Sequence, residues 1–495
     1  MTPAPSACFG NTGGDKARSG GDKARSGGDK ARSGGDKARS GGDKARSGGD
    51  KARSGGDKAR SGGDKARSGG DKARSQRLNE KTNVEPLRSR HGGAKGVGNG
   101  NDVYSDVAFA FDIDGVLYQG HQSIPGAREV LRKIRSLDMR YVFLTNGGGA
   151  HEDAKAASLT KRLQMSHDED VIHNRIIVSH TPMRGWPDSV KEQTVLITGA
   201  HPETARQLAN EYGFSRAVTP ADLIHDNNKI YPFDQLKDSL HSRHRPLPDG
   251  KSASRVADAY SRDIPADALK IDQILVWNDP RDWSLDIQVI HDLLLSHQGY
   301  LGTVSDKNGD HSQPNNGWQQ DGQPDLWISN LDLVWKTEYP VNRFGTGAFV
   351  EALKGVWSAV TGGAELQFKA LGKPSKLTYD YAHQRLLDYY SDTRAAPADV
   401  SGRADTDRQR RLRRVYMIGD NPESDIRGAN DFCPDDGTEW VPILVRTGVW
   451  RQAAADKEPR HRPAVIVDDV VDAIAWALRN EGVQVSRDWL VSGKD

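Results

Sequence analysis

From Tyr104 onward, short apolar runs alternate with stretches of helical periodicity, a pattern that predicts parallel strands joined by crossover helices. The predicted strands are VAFAFDID (107–114), RYVFLTN (140–146), TVLITG (194–199), QILVW (273–277), DLWISN (325–330), VYMIGD (415–420), VPILVRT (441–447) and AVIV (464–467). Several end on a polar or acidic residue. Open α/β sheets bind ligands beyond the carboxyl ends of their strands, so the residues collected there are where chemistry is to be sought. Helices are predicted over 126–137, where Val130, Leu131, Ile134 and Leu137 share a face, over 203–214, and over 283–299, which closes on Gly299. Three polar stretches, 241–263, 305–324 and 401–414, read as surface insertions. The last carries Arg408, Arg410, Arg411, Arg413 and Arg414 and reads as a solvated loop.

Before Tyr104 the periodicity is absent. Residues 13–75 are the unit GGDKARS repeated nine times without error. A seven-residue period suggests a coiled coil, but the unit has no large apolar residue for the a and d positions, and its paired glycines oppose helix. Residues 1–103 are therefore expected to be a disordered tail, which also explains a hydrophobic fraction of only 35% in 495 residues. Each repeat carries a net +1, so the array contributes +9 and the rest of a chain whose total is +1 sums to −8. A basic arm for nucleic acid or anionic lipid is one reading of the array. The Asp in every unit dilutes that charge, and no specific nucleic acid is expected as a partner.

Cys8 and Cys433 lie far apart, which argues against a disulfide framework and fits a reducing compartment. No run of eighteen apolar residues is present, so no transmembrane segment is expected. The opening MTPAPSACFG lacks the apolar core of a secretory signal. The tail is rich in Arg and Ser, as a mitochondrial presequence is, but it is neither poor in acids nor amphipathic.

Four local signals carry candidate chemistry. In FDIDGVL, Asp112 and Asp114 are two apart at the end of a strand and so face one side. Such carboxylates repel unless a cation or a proton sits with them, and a hard, oxygen-seeking ion such as Mg2+ suits them. In LTNGGG, Thr145 and Asn146 end the next strand, and the glycines from Gly147 let backbone approach a phosphoryl group. Lys373 stands in ALGKPSK. In MIGDNPESDIRGAN, Asp420 ends a strand and Asp425 follows at the entrance to a helix, where a capping aspartate is the alternative.

Taken in this order, DxDG, TN, GKP and GDxxxxD resemble the four motifs of the haloacid dehalogenase (HAD) superfamily. LYQGHQSIPGA, SHTPM (179–183), VTPADL (218–223), RFGTGAF (343–349) and LVRTGVW (444–450) further resemble subfamily IIA, and within it the eukaryotic branch named for the cat eye syndrome critical region. The resemblance covers about residues 104–480. It implies a Rossmann-like HAD core with a parallel sheet and a large inserted α/β cap. The expected division is a first core part at 104–169, the cap at 170–345 and a second core part at 346–495, because more than two hundred residues between Asn146 and Lys373 exceed any ordinary connection.

The resemblance also implies roles. Asp112 is the nucleophile that forms an aspartyl-phosphate and Asp114 the acid/base. Mg2+ is held by Asp112, Asp420 and the Asp114 carbonyl, with Asp425 acting directly or through water. Thr145, Asn146, Gly147 and Lys373 hold the transferring group. A carboxylate at the position of Asp114 favours phosphate esters over halides, since an alkoxide leaving group needs a proton. The implied function is a Mg2+-dependent phosphatase acting on a small phosphomonoester. Homodimerisation through the cap, a mitochondrial location and a link to glycerophospholipid metabolism are further expectations. A catalytically vestigial binding protein and a phosphotransferase are the alternatives. ISNLDLVW departs from the expected SNPD, with Leu331 at the proline position, which leaves Asn330 and Asp332 unassigned. Trp277, Asn278 and Trp327 could reach a substrate, but the tryptophans read more readily as buried packing.

Overall fold

The computed structural model describes residues 104–166, 172–389, 411–450 and 458–492. The repeats and residues 401–410 of the arginine-rich stretch lie outside the described residues.

The first strand, Val107–Phe111, is wholly buried, as expected of a parallel strand covered on both faces. Its alternation sorts the two faces by size. Val107, Phe109 and Phe111 enter one apolar cluster with the helices Ala127–Ser136 and Val470–Asn480, while Ala108 and Ala110 enter another with the helix Lys376–Leu387. Phe109 stacks on Tyr416 with ring centroids 5.8 Å apart, and Phe111 sits 6.0 Å from Phe143. Phe109→Ala would cost about 3–5 kcal/mol.

This strand lies inside a six-stranded parallel sheet in the order Val465–Val467, Glu439–Val445, Arg414–Gly419, Val107–Phe111, Arg140–Leu144, Ile176–Ile177. The chain leaves Val107–Phe111 for a neighbour on one side and comes back to Arg414–Gly419 on the other. A crevice therefore opens at the carboxyl ends of these two strands. The ladder continues one step past the strand, where Asp112 N–H donates to Ile418 O at 2.9 Å.

A second parallel sheet, in the order Lys369–Ala370, Asp325–Ile328, Gln273–Val276, Thr194–Thr198, Arg216–Val218, is built from the sequence between the first sheet's strands. The helix Thr346–Thr361 packs into its apolar cluster through Phe349, Val350, Leu353 and Trp357, and Lys369–Ala370 pairs with Asp325–Ile328. This sheet's cluster thus continues past residue 345. Two sequence expectations need correction. The helix predicted to run to Gly299 is Trp283–Leu295, ending where Ser296 turns extended. Arg413 and Arg414 do not belong to a solvated loop: Arg414 starts the strand Arg414–Gly419, and both guanidinium groups pair with Glu481 at 2.6 Å.

Candidate active site

Each acidic residue predicted for the site stands just past a strand end. Asp112 follows Val107–Phe111 and Asp420 follows Arg414–Gly419, so pairing of the two strands sets the carboxylates side by side. Asp425 arrives on the short turn Pro422–Ile426 that leaves the second strand. One ligand oxygen from each of Asp112, Asp420 and Asp425 lies within 4.8 Å of the others, and all three residues are buried. Lys373 Nζ bridges two of them, donating to Asp112 Oδ1 at 2.7 Å and to Asp425 Oδ1 at 2.6 Å.

Three carboxylates against one ammonium leave a buried excess of negative charge. Burial pushes Asp112 up to about 6, opposed by the Lys373 charge. Asp420 is held well above the ordinary carboxylate range by burial and by the charges of Asp112 and Asp425, and burial also raises Asp425. Burial works against the Lys373 ammonium, but Asp112 and Asp425 outweigh it and hold its pKa above the ordinary value. Such a set calls for further positive charge, and all-oxygen donors suit a hard divalent cation.

The available oxygens are unequal. Asp425 Oδ2 accepts the N–H groups of Asp420 at 3.0 Å and Asn421 at 2.9 Å while its Oδ1 takes Lys373, so its oxygens are already engaged. Asp420 Oδ2 accepts the Val449 N–H at 2.6 Å. Gly448 makes room for this bond, since a Cβ there would stand 1.7 Å from Asp420 Oδ2. That glycine was noted in LVRTGVW only as part of a resemblance.

A cavity of about 590 Å3 opens above this cluster, lined in part by Asp112, Asp114, Thr145, Asn146, Gly147 and Asp420. Lys373 and Asp425, almost wholly buried, are not in its lining. Thr145 Oγ1 accepts the Gly147 N–H at 3.1 Å, which leaves the hydroxyl proton to donate elsewhere and commits the Gly147 N–H. The Asn146 side chain is also committed. It donates to Asp332 Oδ2 and to Lys373 O, each at 2.9 Å, and accepts the Lys373 N–H at 2.7 Å.

Two further residues belong here, Asp332, which the sequence leaves unassigned, and Lys155, which it does not single out. Asp332 accepts Asn146 on one oxygen and Asn421 Nδ2 on the other at 3.0 Å, tying together the three segments that carry Asn146, Asn421 and itself. Lys155, in the helix Glu152–Arg162, donates to Asp114 Oδ2 and to Tyr118 OH, each at 3.1 Å. Burial opposes the Lys155 charge, yet Asp114 and Tyr118 raise its pKa above the ordinary range. The one sequence signal for Lys155 was a lysine in the first turns of the helix after LTNGGG.

The glycines of that loop do more than approach a ligand. A Cβ on Gly148 would stand 2.3 Å from the Trp277 carbonyl oxygen, so only glycine lets the loop pass the end of the strand Gln273–Val276. Gly149 N–H donates to His180 Nε2 at 3.0 Å. That bond fixes the tautomer: His180 Nδ1 carries the proton towards Tyr212 OH at 3.0 Å, and Tyr212 donates on to Glu152 Oε1 at 2.7 Å. Trp277 is fully buried against His180, rings 5.1 Å apart, and Trp327 packs on Trp186, so both tryptophans serve packing. Asn278 lines the cavity.

Comparison with known proteins identifies relatives of the chain. Residues 109–215 match the family of haloacid dehalogenase-like hydrolases, and residues 370–473 match the HAD-hydrolase-like family. The chain is 36% identical over 386 residues to a mitochondrial hydrolase of Saccharomyces cerevisiae, a match covering 75% of this chain and 95% of that protein. It is 33% identical over 376 residues to a cardiolipin synthase (CMP-forming)/mitochondrial hydrolase fusion protein of Schizosaccharomyces pombe, covering 76% of this chain and 53% of the fusion. Among solved structures, a hypothetical protein of Pyrococcus horikoshii overlaps 75% of this chain and 99% of its own at 17% identity, with a TM-score of 0.45. With its paired strand-end aspartates, its family matches and a relative aligned over nearly its whole length, the chain belongs to the haloacid dehalogenase-like hydrolases.

Proposed function

We propose that this hydrolase cleaves phosphate monoesters through an aspartyl-phosphate, with Asp112 as nucleophile, Asp114 as acid/base and Mg2+ as the cation. The observation that carries the reading is the Asp112–Lys373–Asp425 bridge beside Asp420 beneath a cavity open to substrate. Lys373 pins Asp112 Oδ1, which leaves Oδ2 to attack phosphorus in line. The new P–O bond forms as the ester P–O bond breaks, and the proton of Asp114 passes to the leaving oxygen. Asp114, now ionised, takes a proton from water, the resulting hydroxide attacks phosphorus, and the Asp112 P–O bond breaks to release phosphate. Lys155 keeps the Asp114 carboxylate on the cavity side. The Thr145 hydroxyl donates to a phosphoryl oxygen. Asn146 orients Lys373 through its main chain.

Asp112, Asp420 and the Asp114 carbonyl would hold Mg2+, with Asp425 supporting it from behind. When bound, the ion offsets repulsion between an anionic nucleophile and an anionic phosphate. The fusion of one relative to a cardiolipin synthase supports a substrate from glycerophospholipid metabolism, and both relatives' names support a mitochondrial location. The motifs SHTPM, RFGTGAF and LVRTGVW support placement in subfamily IIA, in the cat eye syndrome critical region branch. The test is phosphate release from a panel of phosphomonoesters by the full chain, with and without Mg2+. Mg2+-dependent turnover that Asp112→Asn abolishes is expected. A folded, metal-binding protein inert on every ester would overturn the reading.

A further inference from the structure

Half of the ten exposed large hydrophobic residues among the described residues fall within twelve consecutive positions: Leu333, Trp335, Tyr339, Val341 and Phe344, between 43% and 66% exposed. They belong to one hairpin, in which Val334–Trp335 pairs antiparallel with Arg343–Phe344 and Trp335 Nε1 donates to Phe344 O at 3.2 Å. Single exposed apolar side chains are ordinary, but a cluster on one projecting element marks a contact surface. The cluster borders the active-site cavity, whose wall includes Val334, Trp335 and Phe344.

The hairpin's charges are arranged unevenly. Lys336 is buried and donates to Tyr339 O at 2.8 Å, and Glu338 turns back to accept the His121 N–H at 2.5 Å. Arg343 remains exposed, lying over the Tyr339 ring at 4.8 Å and pairing with no carboxylate among the described residues. We propose that this hairpin docks on an anionic phospholipid bilayer, so that the site takes its phosphomonoester from an amphiphile held in that surface. This rests on the phosphatase reading above. Aromatic and aliphatic side chains beside an unpaired guanidinium match the boundary between headgroups and acyl chains.

The test is co-sedimentation of the full chain with vesicles of phosphatidylcholine and roughly one quarter phosphatidylglycerol, read beside turnover of a soluble ester. Tyr339 and Val341 do not line the cavity, so Tyr339→Ser/Val341→Ser is expected to leave soluble turnover intact and to weaken vesicle binding by about tenfold or more. Arg343→Gln is expected to weaken it about fivefold on anionic vesicles only. The basic repeats contribute equally to every variant and are screened at high salt, where the apolar contribution persists. Wild-type binding at high salt therefore tests the proposal without any variant, and its absence overturns it. Unchanged vesicle binding by the double variant, or a fall in oligomeric state without loss of vesicle binding, overturns it too, the latter in favour of a second copy. Loss of soluble turnover in the wild type would instead count against the phosphatase reading.

Discussion

Asn146 and Asp332, 186 positions apart, are joined by a 2.9 Å hydrogen bond. Asn146 in turn holds the main chain of Lys373, so Asp332 acts at one remove on the group that pins the proposed nucleophile. Asp332→Ala leaves the amide of Asn421, and one of the two bonds of Asn146 Nδ2, without an acceptor. It is expected to lower stability by about 1–3 kcal/mol and kcat by roughly 10- to 100-fold with a smaller change in KM. Urea denaturation and steady-state kinetics check both, and a kcat within twofold of wild type, on the order of experimental error, would remove Asp332 from the positioning network.

The buried acidic excess predicts metal-dependent stability. With Mg2+ at about one hundred times its Kd, thermal unfolding is expected to be opposed by roughly 2.7 kcal/mol. Asp420→Asn should lose most of this protection, because it removes one of three mutually repelling carboxylates and a candidate ligand together. Scanning calorimetry with and without chelator measures it.

His180 provides a pH signature. Burial drives its pKa down to about 4 from an ordinary 6.5, and protonating Nε2 would in addition forfeit the Gly149 N–H bond. Below pH 6.5 the unfolded chain takes up a proton that the folded chain refuses until about pH 4. Stability from this residue is thus complete above 6.5 and lost as pH falls towards 4, by up to about 3 kcal/mol. In His180→Gln the difference between urea midpoints at pH 7.5 and pH 5, roughly the ends of this window, should shrink. An unchanged difference would assign the acid sensitivity elsewhere.

Gly148→Ala places a methyl group 2.3 Å from the Trp277 carbonyl oxygen. The loop and the strand end must move apart, at an expected cost of about 1–3 kcal/mol. Equilibrium unfolding reads the loss. Gly185→Ala, where nothing lies within 4 Å, serves as the control.

The long strands of both sheets were legible in the sequence because parallel strands buried on both faces leave continuous apolar runs, as VAFAF and RYVFL do. Ile176–Ile177 and Lys369–Ala370 were not, since two residues carry no periodicity. The aspartates were legible because strand ends put them in one place. Lys155 and Asp332 were not, because their partners come from distant segments that only the folded chain brings near. The glycines of LTNGGG were recognised as permitting close approach, but at Gly148 the approaching group is another strand's carbonyl.

The second sheet's edge strand ends at Ala370, Leu371 N–H still donates to Ile328 O at 2.8 Å, and Lys373 follows two residues later. The second sheet is therefore leashed, by only a few residues of chain, to the ammonium that bridges Asp112 and Asp425. A tilt of that layer would pull on Lys373 and shift the charge balance underneath, so on the proposed function substrate recognition would be coupled to activation of Asp112.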